Sequence, residues 1–413
     1  MIWLLAGYFW MYIHRPFEVW PELGAIQIER GYMLLMIVFW LVWPGKRFVG
    51  NALHLALGFL VGVIWLSWML SPYPAAGGVV VENYAKVMVF YVLLVTSVRT
   101  EDDLGKLVGL LSLSYALYML HSLREYVAGR YGYAQGLQRM MGVDVTYADP
   151  NQFATCILLS LPLVVAYLGA TRGPLRGLLL MQVFLTGVCI LMTRSRAGII
   201  GLGFFLFLCV CFSKRRVLGF TLLTCAGLLG VAVMPGDIYD RMMTLVDPDS
   251  GPNVAKDSAM GRLAGLVKGF EILGNYPLSG CGPGAYGLAS GKGFQAHNLY
   301  GQAAGELGSL GLLALAGLLV VLFVNWRAAG RLAREQPWLK ETMAYRVLRG
   351  VGIGVLLLLV NGMAGHTLYR YNWAWLAAFQ VVALQCLRER AAAAREAYPA
   401  WDYLPEVRPR LAY

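Results

Sequence analysis

Two arginines one residue apart, Arg194 and Arg196, stand between apolar runs with almost no loop around them. A guanidinium stays charged at any physiological pH, and its planar fork matches two phosphate oxygens, so this spacing offers a clamp for a diphosphate. The alternative is that both side chains reach out to lipid headgroups, as cations at helix ends commonly do. His297, one of five histidines, sits where Gln295-Ala296-His297-Asn298 meets another apolar run. An imidazole with the usual pKa of about 6.5 is mostly neutral at pH 7 and can accept a proton, although a lone histidine also serves as a plain polar contact. Asp247-Pro248-Asp249 has the spacing of a carboxylate pair for a divalent cation. With Ser250-Gly251-Pro252 behind it, the same stretch reads equally as a turn.

The frame that must position these residues is legible in the composition. The 413 residues are 58% hydrophobic and 14% charged, against about 45–50% and about 25% in soluble domains. The apolar residues fall into runs of roughly 16–22, the length a helix needs to cross a hydrocarbon core. The net charge of +11 lies mainly between these runs, at Lys46-Arg47, Arg172/Arg176, Lys214-Arg215-Arg216, Arg327 to Arg349 and beyond Arg388. That is the pattern of cytoplasmic loops, so nucleic acid is not an expected partner. The first run lacks a basic leader and a small-residue cleavage site, so no cleavable signal peptide is expected. Seven cysteines with no CxxC pair give neither a disulfide framework nor a zinc site.

The expected fold is an all-α polytopic membrane protein of about twelve transmembrane helices. The spans fall near 1–13, 29–43, 52–70, 84–98, 104–120, 150–170, 177–193, 197–212, 216–234, 304–326, 347–363 and 368–386, and the first is short enough to be partly interfacial or re-entrant. Residues 1–234 carry spans one to nine, 235–303 form a long loop, 304–386 carry the last three spans, and 387–413 form a tail. Placing both termini in the cytoplasm puts every short basic loop on one side. The opposite face then receives the loop 121–149, the hinge Thr193–Arg196 and the 235–303 segment, which is too long for an ordinary connection. Asp257 or Ser258 can cap a helix to about Leu273 whose Leu263, Leu266, Val267 and Phe270 form an apolar face for the membrane surface. Charged residues near the spans (Glu82, Lys86, Asp149, Arg194, Arg196 and Arg370) gather at the same outer rim.

Three stretches in this order resemble the O-antigen ligase family, within the O-antigen ligase and polymerase superfamily of bacterial inner membranes. They are Leu191-Met192-Thr193-Arg194-Ser195-Arg196-Ala197-Gly198; Gly261-Arg262 through Pro277-Leu278-Ser279-Gly280-Cys281-Gly282-Pro283-Gly284; and Ala296-His297-Asn298-Leu299-Tyr300 followed by Glu306-Leu307-Gly308 and Gly311. Asp149-Pro150-Asn151 ahead of a span is similar to the protein O-glycosylation ligases of that superfamily. The resemblance implies transfer of a preassembled glycan from undecaprenyl diphosphate to an acceptor at the periplasmic face of the inner membrane, lipid A-core for the ligases. It implies a single inverting displacement with no cofactor, nucleotide or required metal.

By the same resemblance His297 is the base, and Arg196 and Arg262 hold the diphosphate. Arg194, Arg139 and Arg370 are second-rank cations, with salt bridges or headgroup contacts as the alternative, and Asp149 is a pairing carboxylate. Asn298 either orients the histidine or caps a helix, and Glu306 has a structural or substrate-hydroxyl role at the rim. The expected partners are the lipid-linked donor, the lipid A-core acceptor and membrane lipids. Within the superfamily, a polymerase or a protein-directed ligase would use the same donor. A lipid-linked sugar transporter would instead need ionisable residues deep in its spans and a repeat in hydropathy.

Overall fold

The computed structural model describes residues 1–134, 137–232, 236–243, 253–291, 293 and 295–397. Asp247 and Asp249 fall outside the described residues. The described residues are 79% helical, and a short antiparallel hairpin, Gly132–Ala134 with Leu137–Arg139, is the one sheet among them. Each of the twelve expected runs is helical over most of its length. Among the described residues seven helices are long and apolar enough to cross a membrane, including Ala52–Met69, Glu101–Val127, Leu299–Glu335 and Met343–Gly362.

Several boundaries differ from expectation. The helix Glu101–Val127 runs well past residue 120, because nothing breaks it before Gly129, whose φ of 95° ends the turn. The helix of the long loop is Asn253–Asn275. Val254-Ala255-Lys256 contains no breaker, so Asp257 and Ser258 lie inside the helix and do not start it. Asn372–Ala397 continues through the basic residues assigned to the tail. The tenth run begins at Leu299, directly after Asn298, and extends to Glu335.

Within Leu299–Glu335 the helix is broken at Gly308, which adopts φ 67° and ψ −158°, a combination open to glycine and closed to other residues. The loop 277–282 plugs that break. Cys281 N–H donates to the Gly305 carbonyl at 2.9 Å and Gly282 N–H to that of Glu306 at 3.0 Å, while Ser309 and Leu310 N–H donate back to Pro277 and Leu278. The backbone groups freed by the break are thus satisfied inside protein, as irregular backbone beside a bilayer requires. Ser67 and Ser71, at the end of Ala52–Met69, donate to the Glu306 and Cys281 carbonyls and tie the same loop to a third segment.

The long-loop helix is held by its glycine face. Gly265 and Gly269 on Asn253–Asn275 meet Ala296, Gly301 and Gly305 across an interface so close that a Cβ on Gly269 would lie 2.3 Å from the Gly301 carbonyl oxygen. Small residues four apart on both helices permit such backbone contact. The apolar face expected at the membrane surface is left uncovered by the protein, with Leu263, Val267 and Phe270 each at least half exposed. Elsewhere the bundle packs around buried aromatic and aliphatic side chains, with Phe9 against Phe90, Trp375 and Phe379.

Candidate active site

A cavity of about 620 Å³ opens where four chain segments meet: residues 147–159, the helix Asn253–Asn275, the approach to Leu299, and the loop 364–372. Each wall has a local cause. Asp149 caps the helix Pro150–Leu158, its Oδ1 accepting from Asn151 N–H at 3.0 Å and Gln152 N–H at 2.9 Å, with Pro150 in the first turn. Asn298 caps Leu299–Glu335 in the same manner, accepting from Tyr300 and Gly301 N–H at 2.9 and 3.0 Å. Of the two roles open to Asn298, the cap is the one its side chain visibly fills; its Nδ2 donates to the Met363 carbonyl. His297, immediately before it, has a left-handed backbone with φ 45°, a conformation uncommon outside glycine.

Of the residues singled out in the sequence, His297, Arg262, Asp149 and Arg370 line the cavity. The His297 ring is exposed into this space yet crowded by its walls. That desolvation pulls its pKa below the ordinary imidazole value, the Asp149 carboxylate opposes the shift and Arg262 adds to it. Burial also disfavours the Arg262 charge, with Asp149 offsetting it. Arg370 hydrogen-bonds Gln152 and lies 5.1 Å from the Tyr147 ring centroid, a cation held on an aromatic face. Among the described residues Asp149 is the single carboxylate in the lining, against Arg262, Arg370 and a Lys268 that is paired with Glu271 at 2.7 Å. The cavity therefore carries a cationic surplus suited to an anion.

Arg196 is buried behind the adjacent Ala197, which lines the cavity, and its charge is opposed by that of Arg262. Arg196 itself is not part of the lining. Arg194 occupies the hinge itself with φ 51° and does not line the cavity. Arg139 is a buried tie: its Nε donates to the Thr193 carbonyl at 2.9 Å and its Nη2 to Asn151 Oδ1 at 3.0 Å. Ser195 Oγ donates to the same Asn151 oxygen at 2.8 Å. The 149–151 and 193–196 motifs, separate in sequence, are thus locked together through one amide. Asn151→Leu removes that shared acceptor and is expected to lower stability by about 1–3 kcal/mol, read as an earlier thermal unfolding of the purified protein.

Glu306 is fully buried and absent from the lining; its Oε2 accepts from Gly284 N–H at 3.0 Å. Its place is inside the helix break. Glu82 and Lys86 form a surface network with Glu29 and Arg30 and take no part in the cavity. Sequence reasoning passed over His366 and Lys268. The His366 ring centroid is 5.4 Å from that of His297, and burial followed by the Arg370 and His297 charges pushes its pKa down to about 4. Its scarcity as a residue type and its place four residues before Arg370 were the available signals.

The hinge, Arg262, the plugged loop and the His-Asn pair all fall within one matched segment. Residues 181–316 match the O-antigen ligase family. That match covers about a third of the chain, and its helices have the length and apolar composition of membrane spans. Comparison with curated proteins gives no match. The matched segment contains the arginine hinge, Arg262 and His297, whereas Asp149, Gln152, His366 and Arg370 close the cavity from outside it.

Proposed function

We propose that the protein is an O-antigen ligase that transfers a preassembled glycan from undecaprenyl diphosphate to lipid A-core at the periplasmic face of the inner membrane. The observation that carries this reading is one cavity in which His297 stands beside a cationic surplus, roofed by a helix whose exposed Leu263, Val267 and Phe270 offer a surface for a polyprenyl chain. An acceptor hydroxyl attacks the anomeric carbon, its proton passes to His297, and the C–O bond to the diphosphate breaks with its electron pair leaving on oxygen. Arg262 and Arg196 hold the leaving diphosphate, with Arg370 adding positive potential, while Lys268 is paired with Glu271 at 2.7 Å. One unit charge against another at 4 Å contributes about 4 kcal/mol at an effective dielectric of 20, so fixed arginines can do the work of a cation. Asp149 favours the imidazolium as it forms.

The deciding experiment combines purified protein, lipid-linked donor and lipid A-core with EDTA present. Transfer with inversion at the anomeric centre is the expected result. Transfer abolished by EDTA would refute the metal-free mechanism and turn attention to Asp247 and Asp249. Extension of the donor's own repeat units would make the protein a polymerase.

The pH profile gives a second check. A base works in its neutral form, so activity falls as pH drops through the His297 pKa and is flat above it. Because the cavity lowers that pKa, the acid limb is expected to have its midpoint below the ordinary 6.5. A midpoint above that value would contradict the assignment.

A further inference from the structure

At the end of the bundle away from the His297 cavity lies a second cleft, of about 290 Å³, whose walls include Phe323, Trp326, Arg327, Arg334, Tyr345 and Arg349. It sits between Leu299–Glu335 and Met343–Gly362. From its break at Gly308 to Arg327 the helix rises about 28 Å at 1.5 Å per residue, close to the thickness of a hydrocarbon core. The cleft is therefore at headgroup depth on the opposite face.

Among the described residues no carboxylate lines it and none of its three arginines forms an ion pair. Nearby cations do find acids: Arg346 pairs with Glu341, Arg390 with Glu101 and Arg395 with Glu335. Arg349 is held in place, its Nη2 donating to the Phe212 carbonyl at 3.2 Å and its guanidinium 5.5 Å from the Phe212 ring centroid. The Arg327 guanidinium lies 5.8 Å from the Phe323 ring centroid. Three like charges converging on a concave site repel one another until an anion enters. On the lipid side the rim is apolar, with Phe323 and Val324 about half exposed and Trp326 beside them, as at a membrane interface.

We propose that this cleft binds the phosphodiester headgroup of an anionic phospholipid, with Arg327, Arg334 and Arg349 around the phosphate and the acyl chains along Phe323 and Val324. A free phosphate shares the anionic chemistry but makes no use of the apolar rim. The site is independent of the transfer reaction and of its failure or success.

The test is native mass spectrometry of the full chain in neutral detergent, titrated with phosphatidylglycerol, phosphatidylcholine or inorganic phosphate. The first phosphatidylglycerol is expected to bind in preference to phosphatidylcholine. Its affinity should fall about fivefold in Arg334→Gln, and on the order of a hundredfold when Arg327 and Arg349 are also replaced by glutamine. Arg334 makes no hydrogen bond or ion pair among the described residues, so the single variant keeps the fold and decides the matter if the triple variant does not express. Equal binding of the two lipids, or unchanged affinity in Arg334→Gln, would overturn the proposal. Displacement of the lipid by equimolar inorganic phosphate would reassign the cleft to a free anion.

Discussion

Replacing His297 with asparagine is expected to reduce glycan transfer by about 10²–10⁴-fold, the usual worth of a positioned general base. Asparagine is the cleaner choice than alanine because the position has φ 45°, and a short amide side chain tolerates the left-handed backbone better. The fold should survive, since the ring faces the cavity and the adjoining cap is made by Asn298. A base contributes in the transition state, so kcat should fall while donor affinity, set by the arginines, changes little. Single-turnover transfer of a radiolabelled glycan separates the two. Activity within a few-fold of wild type would remove His297 as the base and leave His366, the neighbouring imidazole, as the next residue to test.

The second large effect concerns the glycine interface. Alanine normally stabilises a helix relative to glycine by up to about 1 kcal/mol, and at Gly274, where a Cβ meets nothing within 4 Å, Gly274→Ala should be neutral or mildly stabilising. At Gly269 the same methyl would stand 2.3 Å from the Gly301 carbonyl oxygen. Backbone atoms cannot rotate aside, so Gly269→Ala is expected to destabilise by about 1–3 kcal/mol or more. The helix carrying Arg262 would be pushed off Leu299–Glu335, and transfer should fall with the melting temperature. Two substitutions of the same type, five residues apart on one helix, thus act with opposite sign. Thermal unfolding of both variants in detergent is the measurement, and equal shifts would refute the packing account.

The helices themselves were readable because each apolar run is long and most are bounded by charged or turn-forming residues. The candidate site was readable as motifs, and four of the nine residues named for it, His297, Arg262, Asp149 and Arg370, line one cavity. What sequence could not supply was the partner of each motif. Gly265 and Gly269 have a visible four-residue spacing, yet only the fold shows that they face Gly301 and Gly305. Arg139 and Glu306 have the charge of ligands, but their hydrogen bonds spend them on structure. Gly308 reads as one more small residue in an apolar run until its backbone is seen to leave the helix. His366 is near His297 only through the folding back of the last connection. Each of these depends on segments distant in sequence, where periodicity and spacing carry no information.

The plugged break at Gly308 has a consequence for recombination. The loop at 277–282 and the helix at 305–310 exchange backbone hydrogen bonds in both directions, so neither keeps its shape beside a foreign partner. Chimaeras between related transferases should therefore tolerate a crossover before residue 253 or after 311, and fail when the crossover falls between 284 and 299. The block that travels together contains Arg262 and His297, while Asp149 and Arg370 stay with the recipient. Swapping that block keeps two of the four cavity residues together as one heritable cassette and leaves the opposite wall free to diverge.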